Sequence, residues 1–278
     1  MDIFNILIII GLLNFPLSVE DDKWRDYPTC KIGRLQSPIN IKEYESIYAN
    51  NFSFVYQNYK DCVGTINNNY AYTIKCAEGT GGYVNFERGG VIKQYEFIRA
   101  ELYPGLHAID GVKGASELHL IHKKNLDFVT NKNQYRSIQD PNMYLVVVLR
   151  YKNCNVGKES CTFDNGLLEH INSEISNTNI DINLNQLNIF QDKRAYFYEG
   201  SFVHIPCDEN VNYYIVKDFF HFKGDLPDFT DKINNVNLAN IFGRPVYKNF
   251  MNYREVLGNH YFSFKNVVVS FLFIIILL

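Results

Sequence analysis

No two of the six cysteines in this 278-residue chain stand in a Cys-x-x-Cys pair, which removes the zinc-ribbon and thioredoxin-type readings. The chain has little net charge. With 27 Lys and Arg against 30 Asp and Glu the net is −3, too little to give a nucleic-acid partner electrostatic support. Between residues 24 and 255 there is no repeat, low-complexity block or linker-like stretch. One domain is therefore expected there, since all-β units often exceed ~200 residues.

The two ends differ from this interior. Ile3–Phe15 is an apolar run followed by the polar Glu20-Asp21-Asp22-Lys23, the pattern of a cleaved signal peptide over residues 1–18, with a retained anchor as the alternative. Val267–Leu278 carries no charge. At ~1.5 Å per residue it covers about 18 Å, less than the bilayer core of about 30 Å. An apolar tail behind a polar spacer, here residues 256–278, reads as a GPI-attachment signal, with Gly258 or Asn259 as the attachment residue. The alternatives are a terminal core strand and a membrane-lodged tail.

Both ends imply the secretory route, where an even cysteine count suggests disulfides. Spacing favours two local bridges, Cys62–Cys76 across a hairpin and Cys154–Cys161 around a loop. Cys30–Cys207 would then be the long-range bridge, although sequence alone leaves other connectivities open. Asn51-Phe52-Ser53 is a glycosylation sequon compatible with that compartment.

Strand-like runs dominate the interior. They are Phe52–Tyr56, Tyr70–Cys76, Tyr83–Phe86, Gln94–Arg99, Ser116–His122, Tyr213–Val216 and Val246–Phe250, bounded by glycine or polar turn residues. Met143–Tyr151 is a continuous β-branched run, expected to be a strand buried on both faces. Helical spacing is confined to Asn165–Ser176 and Phe229–Val236. Many strands and few peripheral helices predict a mainly β (α+β) fold around a large central sheet.

Five separated stretches then occur in a fixed order: Gln36-Ser37-Pro38-Ile39-Asn40-Ile41, His107-Ala108-Ile109-Asp110-Gly111, Glu117-Leu118-His119-Leu120-Ile121-His122, Tyr196–Ser201 followed by Pro206-Cys207, and Gly243-Arg244-Pro245-Val246-Tyr247. Together they resemble the α-carbonic anhydrases, across residues 20–255. The resemblance implies a mostly antiparallel twisted sheet with the active site in a central cone. It also implies pairing of Cys30 with Cys207, as in secreted members of the family.

In that family zinc is held by two histidines one residue apart on one strand and a third on the next. A catalytic zinc needs three protein ligands and an open position for water. Aligned through Gln94, the first two positions are Glu96 and Ile98, and the third is His119. One carboxylate and one imidazole leave such a site one ligand short. Without metal, water keeps a pKa of about 15.7 instead of about 7, and no hydroxide forms at neutral pH.

The alignment degrades three further positions. Val203 and Leu106 stand where the resemblance implies a threonine–glutamate pair that orients the hydroxide, and Tyr70 stands at the proton-shuttle position. Replacing both members of a buried polar pair with apolar residues can be nearly neutral, whereas losing one costs about 1–3 kcal/mol. Of the remaining histidines, His107 and His122 fall at structural positions of the family, and His170, His221 and His260 are expected at the surface.

The resulting expectation is a secreted, GPI-anchored carbonic-anhydrase-related protein without carbon dioxide hydration activity and without a cofactor. His119 would be its vestigial ligand, and it would bind an extracellular protein or glycan. The alternative is a divergent zinc-dependent carbonate dehydratase whose site is rebuilt from Glu96, His119 and His204.

Overall fold

The computed structural model describes residues 27–49, 52–57, 61–67, 71–76, 82–88, 91–126, 142–154, 180–183, 194–222, 225–226 and 244–250. The expected signal peptide, both expected helices, the C-terminal tail with Gly258 and Asn259, Asn51, Tyr70, His170 and His260 lie outside these residues.

One short helix, α1 (Pro28–Ile32), precedes a succession of strands: β1 (Asn40–Ile41), β2 (Ile47–Tyr48), β3 (Phe52–Gln57), β4 (Asp61–Asn67), β5 (Tyr72–Cys76), β6 (Tyr83–Arg88), β7 (Val91–Pro104), β8 (Ala108–Ile109), β9 (Val112–Lys113), β10 (Ser116–Lys124), β11 (Tyr144–Asn153), β12 (Ile180–Asn183), β13 (Ala195–Gly200), β14 (Val211–Phe222) and β15 (Tyr247–Lys248). Twelve of them form one sheet, with the path β12-β4-β5-β7-β10-β11-β14-β13-β15-β2 and with β3 and β6 paired beside β7. The sheet is mixed: β11–β14 and β15–β2 are parallel and the other pairs antiparallel.

Strand β11 explains why the sheet is a core and not a surface. Leu145, Val147 and Leu149 enter one apolar cluster, and Val146 and Val148 enter another. Alternate side chains of a strand project to opposite faces, so this β-branched run is buried on both. At about 1.5–3 kcal/mol per fully buried aliphatic side chain, these five side chains make the strand a main contributor to both apolar clusters.

Of the strands of four residues or more, β4, β12 and β13 fall outside the expected runs, and β7 runs past its expected end. β4 contains Asp61 and Gly64, which are poor strand formers, and it is held by its partners β5 and β12. β7 is the more consequential. Instead of ending near Arg99 it runs on to Pro104, and it pairs with β10 through a register shift between Ile121 and His122. Ile121 faces Arg99 and His122 faces Phe97, so Ile98 is the extra residue of a β-bulge. The connection to β10 is tight. A Cβ on Gly105 would lie 2.0 Å from the carbonyl oxygen of Gly114, so only glycine permits that backbone crossing.

Cys30 and Cys207 form a disulfide across 177 residues of chain. Cys154 is also disulfide-bonded, and Cys161 lies outside the described residues. Cys62 and Cys76 sit on adjacent strands whose register sets Gly64 opposite Cys76; their side chains are likewise outside the description. His221, expected at the surface, is instead 9% exposed on β14, because that strand continues six residues beyond Val216, to Phe222.

Candidate functional site

The motifs of the sequence meet around one hydrogen-bonded scaffold. Ser37 and Ser201 cross-link two segments reciprocally, backbone N–H to hydroxyl, at 3.1 and 3.2 Å. Arg244 donates to the carbonyls of Glu199 and Gln36 at 3.1 and 2.8 Å. Asn40 Oδ1 accepts from the backbone of Gly111 at 2.9 Å, where Asp110 and Gly111 both adopt positive φ. A Cβ on Gly200 would stand 2.3 Å from Ser37 Oγ, so that glycine lets the first and fourth motifs touch.

Beneath this scaffold lies Glu117, fully buried on β10. It accepts from the backbone N–H of His107 at 2.7 Å, from His107 Nδ1 at 2.8 Å and from His119 Nε2 at 3.0 Å. Burial pushes the Glu117 carboxyl up, but the two imidazoles outweigh it and hold the pKa at about 2. Burial also lowers His107, against the pull of Glu117, so its ring is neutral. The Tyr198 hydroxyl lies 2.8 Å from His107 Nε2.

The residues beside His119 are not those the motif alignment named. His119 is directly opposite Glu101 on β7, and Ile121 is opposite Arg99. Glu96 is opposite Lys123, four residues further along β10. At ~3.3 Å per residue that is about 13 Å from the rung of His119, too far to share a cation. Ile98 occupies the bulge and packs against the second apolar cluster. The grouping of Glu96, His119 and His204 is therefore not formed, and Glu96 and Ile98 do not flank His119. Alignment forward from Gln94 put the missing residues in the loop after the strand. The bulge and the long β7 put three more residues before it.

Arg99, Glu101, Tyr103 and His204 form the cluster that is present. Glu101 is 5% exposed. Its Oε1 accepts from Arg99 Nε at 2.7 Å, and its Oε2 accepts from the Tyr103 hydroxyl at 2.7 Å. His204 Nε2 is 3.6 Å from Oε1, an ion pair. Burial raises the Glu101 pKa, but His204, Arg99 and Tyr103 together hold it at about 2. His204 Nδ1 donates to the Ile205 carbonyl at 2.8 Å. Desolvation works against its charged form, and Glu101 more than offsets this, so its pKa is raised. The loop bearing His204 is fastened by the Cys30–Cys207 disulfide and by Cys207 N–H donating to the His204 carbonyl at 2.8 Å. Ring stacking of Phe202 on His204 at 5.5 Å adds to this.

A family model for eukaryotic-type carbonic anhydrase matches residues 19–255. The chain belongs to the eukaryotic-type carbonic anhydrase family. It is 25% identical over 203 residues to "Alpha carbonic anhydrase 8" of Arabidopsis thaliana, covering 71% of this chain and 46% of that protein. It is 23% identical over 273 residues to "Carbonic anhydrase 6" of Mus musculus, covering 90% of this chain and 84% of that protein. The match thus spans less than half the length of the plant relative.

The family implies zinc, and the donors around His119 do not fit it. Of the three ligand positions sequence reasoning named, only His119 faces this site. Glu101 offers a carboxylate, but both of its oxygens are engaged and its charge is already matched by Arg99. A metal on Glu101 would stand within about 5 Å of the guanidinium. At an effective dielectric of about 20 the repulsion is on the order of 6 kcal/mol. Among the described residues, His107, Glu117 and His119 are the group whose ligand atoms lie within 4.8 Å of one another. That group is a hydrogen-bonded triad with all three residues buried and its carboxylate shared by two imidazoles, not an open metal cradle.

Leu106 and Val203 meet in one small apolar cluster with Ala71 and Tyr103, both nearly fully buried. Arg99, Glu101 and Tyr103 are the residues sequence reasoning missed. Their signal was the charged–apolar alternation Arg99-Ala100-Glu101-Leu102-Tyr103, counted back from His107 instead of forward from Gln94.

Proposed function

We propose that this member of the carbonic anhydrase family is catalytically silent and serves as a binding module for an extracellular protein or glycan. In this reading it reaches the cell surface by the secretory route and is held there by a C-terminal lipid anchor. The observation that carries the reading is the Arg99–Glu101 ion pair, 2.7 Å between Nε and Oε1, in which Glu101 is opposite His119 and Arg99 opposite Ile121. An ion pair there leaves no ligand set to generate hydroxide from water at neutral pH. Replacement of a polar pair by the packed Leu106 and Val203 supports the same conclusion. The long-range disulfide supports an oxidising compartment. Among the described residues no helix is long and apolar enough to cross a membrane.

The test is metal content and carbon dioxide hydration of the purified, folded chain. The expected result is far less than one zinc per chain and hydration at the uncatalysed rate. Hydration above background, abolished by a chelator, would overturn the proposal.

A further inference from the structure

We propose that Arg99 takes the place of the metal ion in this chain: its guanidinium, seated on Glu101, fills the charge position beside His119 and keeps divalent cations out of it. This rests on the silent-enzyme reading and goes further, because it assigns exclusion to one residue and moves the former ligand positions to 99 and 101. The β7–β10 register, with its bulge, and a backbone crossing place them. The β7–β10 pairing sets Glu101 opposite His119 and Arg99 opposite Ile121, on the same face. The bulge at Ile98 shifts everything before it, so that Glu96 is carried to Lys123. The Gly105–Gly114 backbone crossing fixes where the hairpin turns and prevents β7 from sliding.

The cluster also takes over the mechanical role of an ion. A bound metal ties its ligands' elements together. Here Glu101 of β7 engages Arg99, Tyr103 and, on the loop between β13 and β14, His204. The Arg99 side chain is 20% exposed and Glu101 6%, and the guanidinium also lies 5.6 Å from the centroid of the Phe202 ring on that loop. The guanidinium is thus held between strand and loop, with its charge beside the carboxylate that faces His119 across the β7–β10 pair.

The experiment compares variants of the full chain, refolded with zinc and dialysed, by metal stoichiometry and by the visible spectrum of the cobalt(II) form. Circular dichroism checks the fold of each. The double variant Arg99→His/Glu101→His is expected to retain about one metal per chain with a tetrahedral cobalt spectrum. The double variant Glu96→His/Ile98→His is expected to retain essentially none. Arg99→Met, which removes the guanidinium and its bond to Glu101 but keeps an unbranched side chain, is expected to bind zinc about tenfold or more tighter than the unaltered chain. Metal retention by the 96/98 variant but not by a folded 99/101 variant would overturn the assignment. If the 99/101 variant does not fold, Arg99→Met decides, and unchanged zinc affinity there would overturn the proposal. These comparisons among variants are read separately from carbon dioxide hydration by the unaltered chain, which tests the silent-enzyme reading.

Discussion

Glu101→Gln removes one charge from the centre of the cluster with little change of shape. It leaves Arg99 and His204 as buried or half-buried cations without their common anion. Breaking one partner out of a buried ion pair costs about 3–5 kcal/mol, and the partial exposure of Arg99, 20% at the side chain, places the value toward the lower end. The pKa gives a similar figure. A carboxyl held at about 2 against an ordinary 4.5 corresponds to roughly 3 kcal/mol of preference for the charged form. With a urea dependence of about 3 kcal/mol per molar, the midpoint of unfolding should fall by about 1 M at pH 6.

The sign of its pH dependence follows from both groups. Glu101 is depressed, so its contribution is present above the unfolded value of 4.5 and is lost as pH falls toward about 2. His204 is raised, so its contribution is complete below about 6.5 and is lost as pH rises through its folded pKa. The Glu101→Gln deficit should therefore be largest between about pH 5 and 6.5 and shrink toward pH 9, where only Arg99 is left unpaired. Urea titrations of both proteins at pH 5.5, 7 and 9 measure this. A deficit below about 1 kcal/mol that is flat across that range would refute a buried cluster centred on Glu101.

Two other outcomes follow from the same structure. Leu106→Glu should destabilise by about 3 kcal/mol or more, because a carboxylate would enter an apolar cluster at a 2%-exposed position; adding Val203→Thr should recover part of that loss, seen as non-additivity in a thermal double-mutant cycle. Cys30→Ser should cost about 5 kcal/mol by the loop-entropy estimate for a closure of 177 residues, read as a lowered denaturation midpoint, and should loosen the loop that carries His204.

How much was legible in the sequence depended on whether a residue's role is set locally. Ser37, His107, Glu117, Tyr198 and Arg244 could be recognised because each makes hydrogen bonds that few other side chains can replace. The β-branched run of β11 declared its double burial through composition alone. Leu106 and Val203 each stand a short, fixed distance in sequence from such a residue, and they pack together. Glu96 and Ile98 were misplaced for the opposite reason. A strand repeats every two residues, so Gln94–Ile98 and Ile98–Tyr103 are equally good candidates for the face beside His119. What separates them is a bulge and a glycine crossing that involve backbone atoms distant in sequence.

The sequence by itself determined the family, the sheet, the motif scaffold around Glu117 and the absence of a complete histidine set. These depend on residue type and order. Only the tertiary structure decided what occupies the place beside His119, because strand register is a relation between two segments and is fixed by the connection and irregularity that join them. It set Glu101 opposite His119, gave that carboxylate Arg99 as its partner, and brought His204 to within 3.6 Å of it.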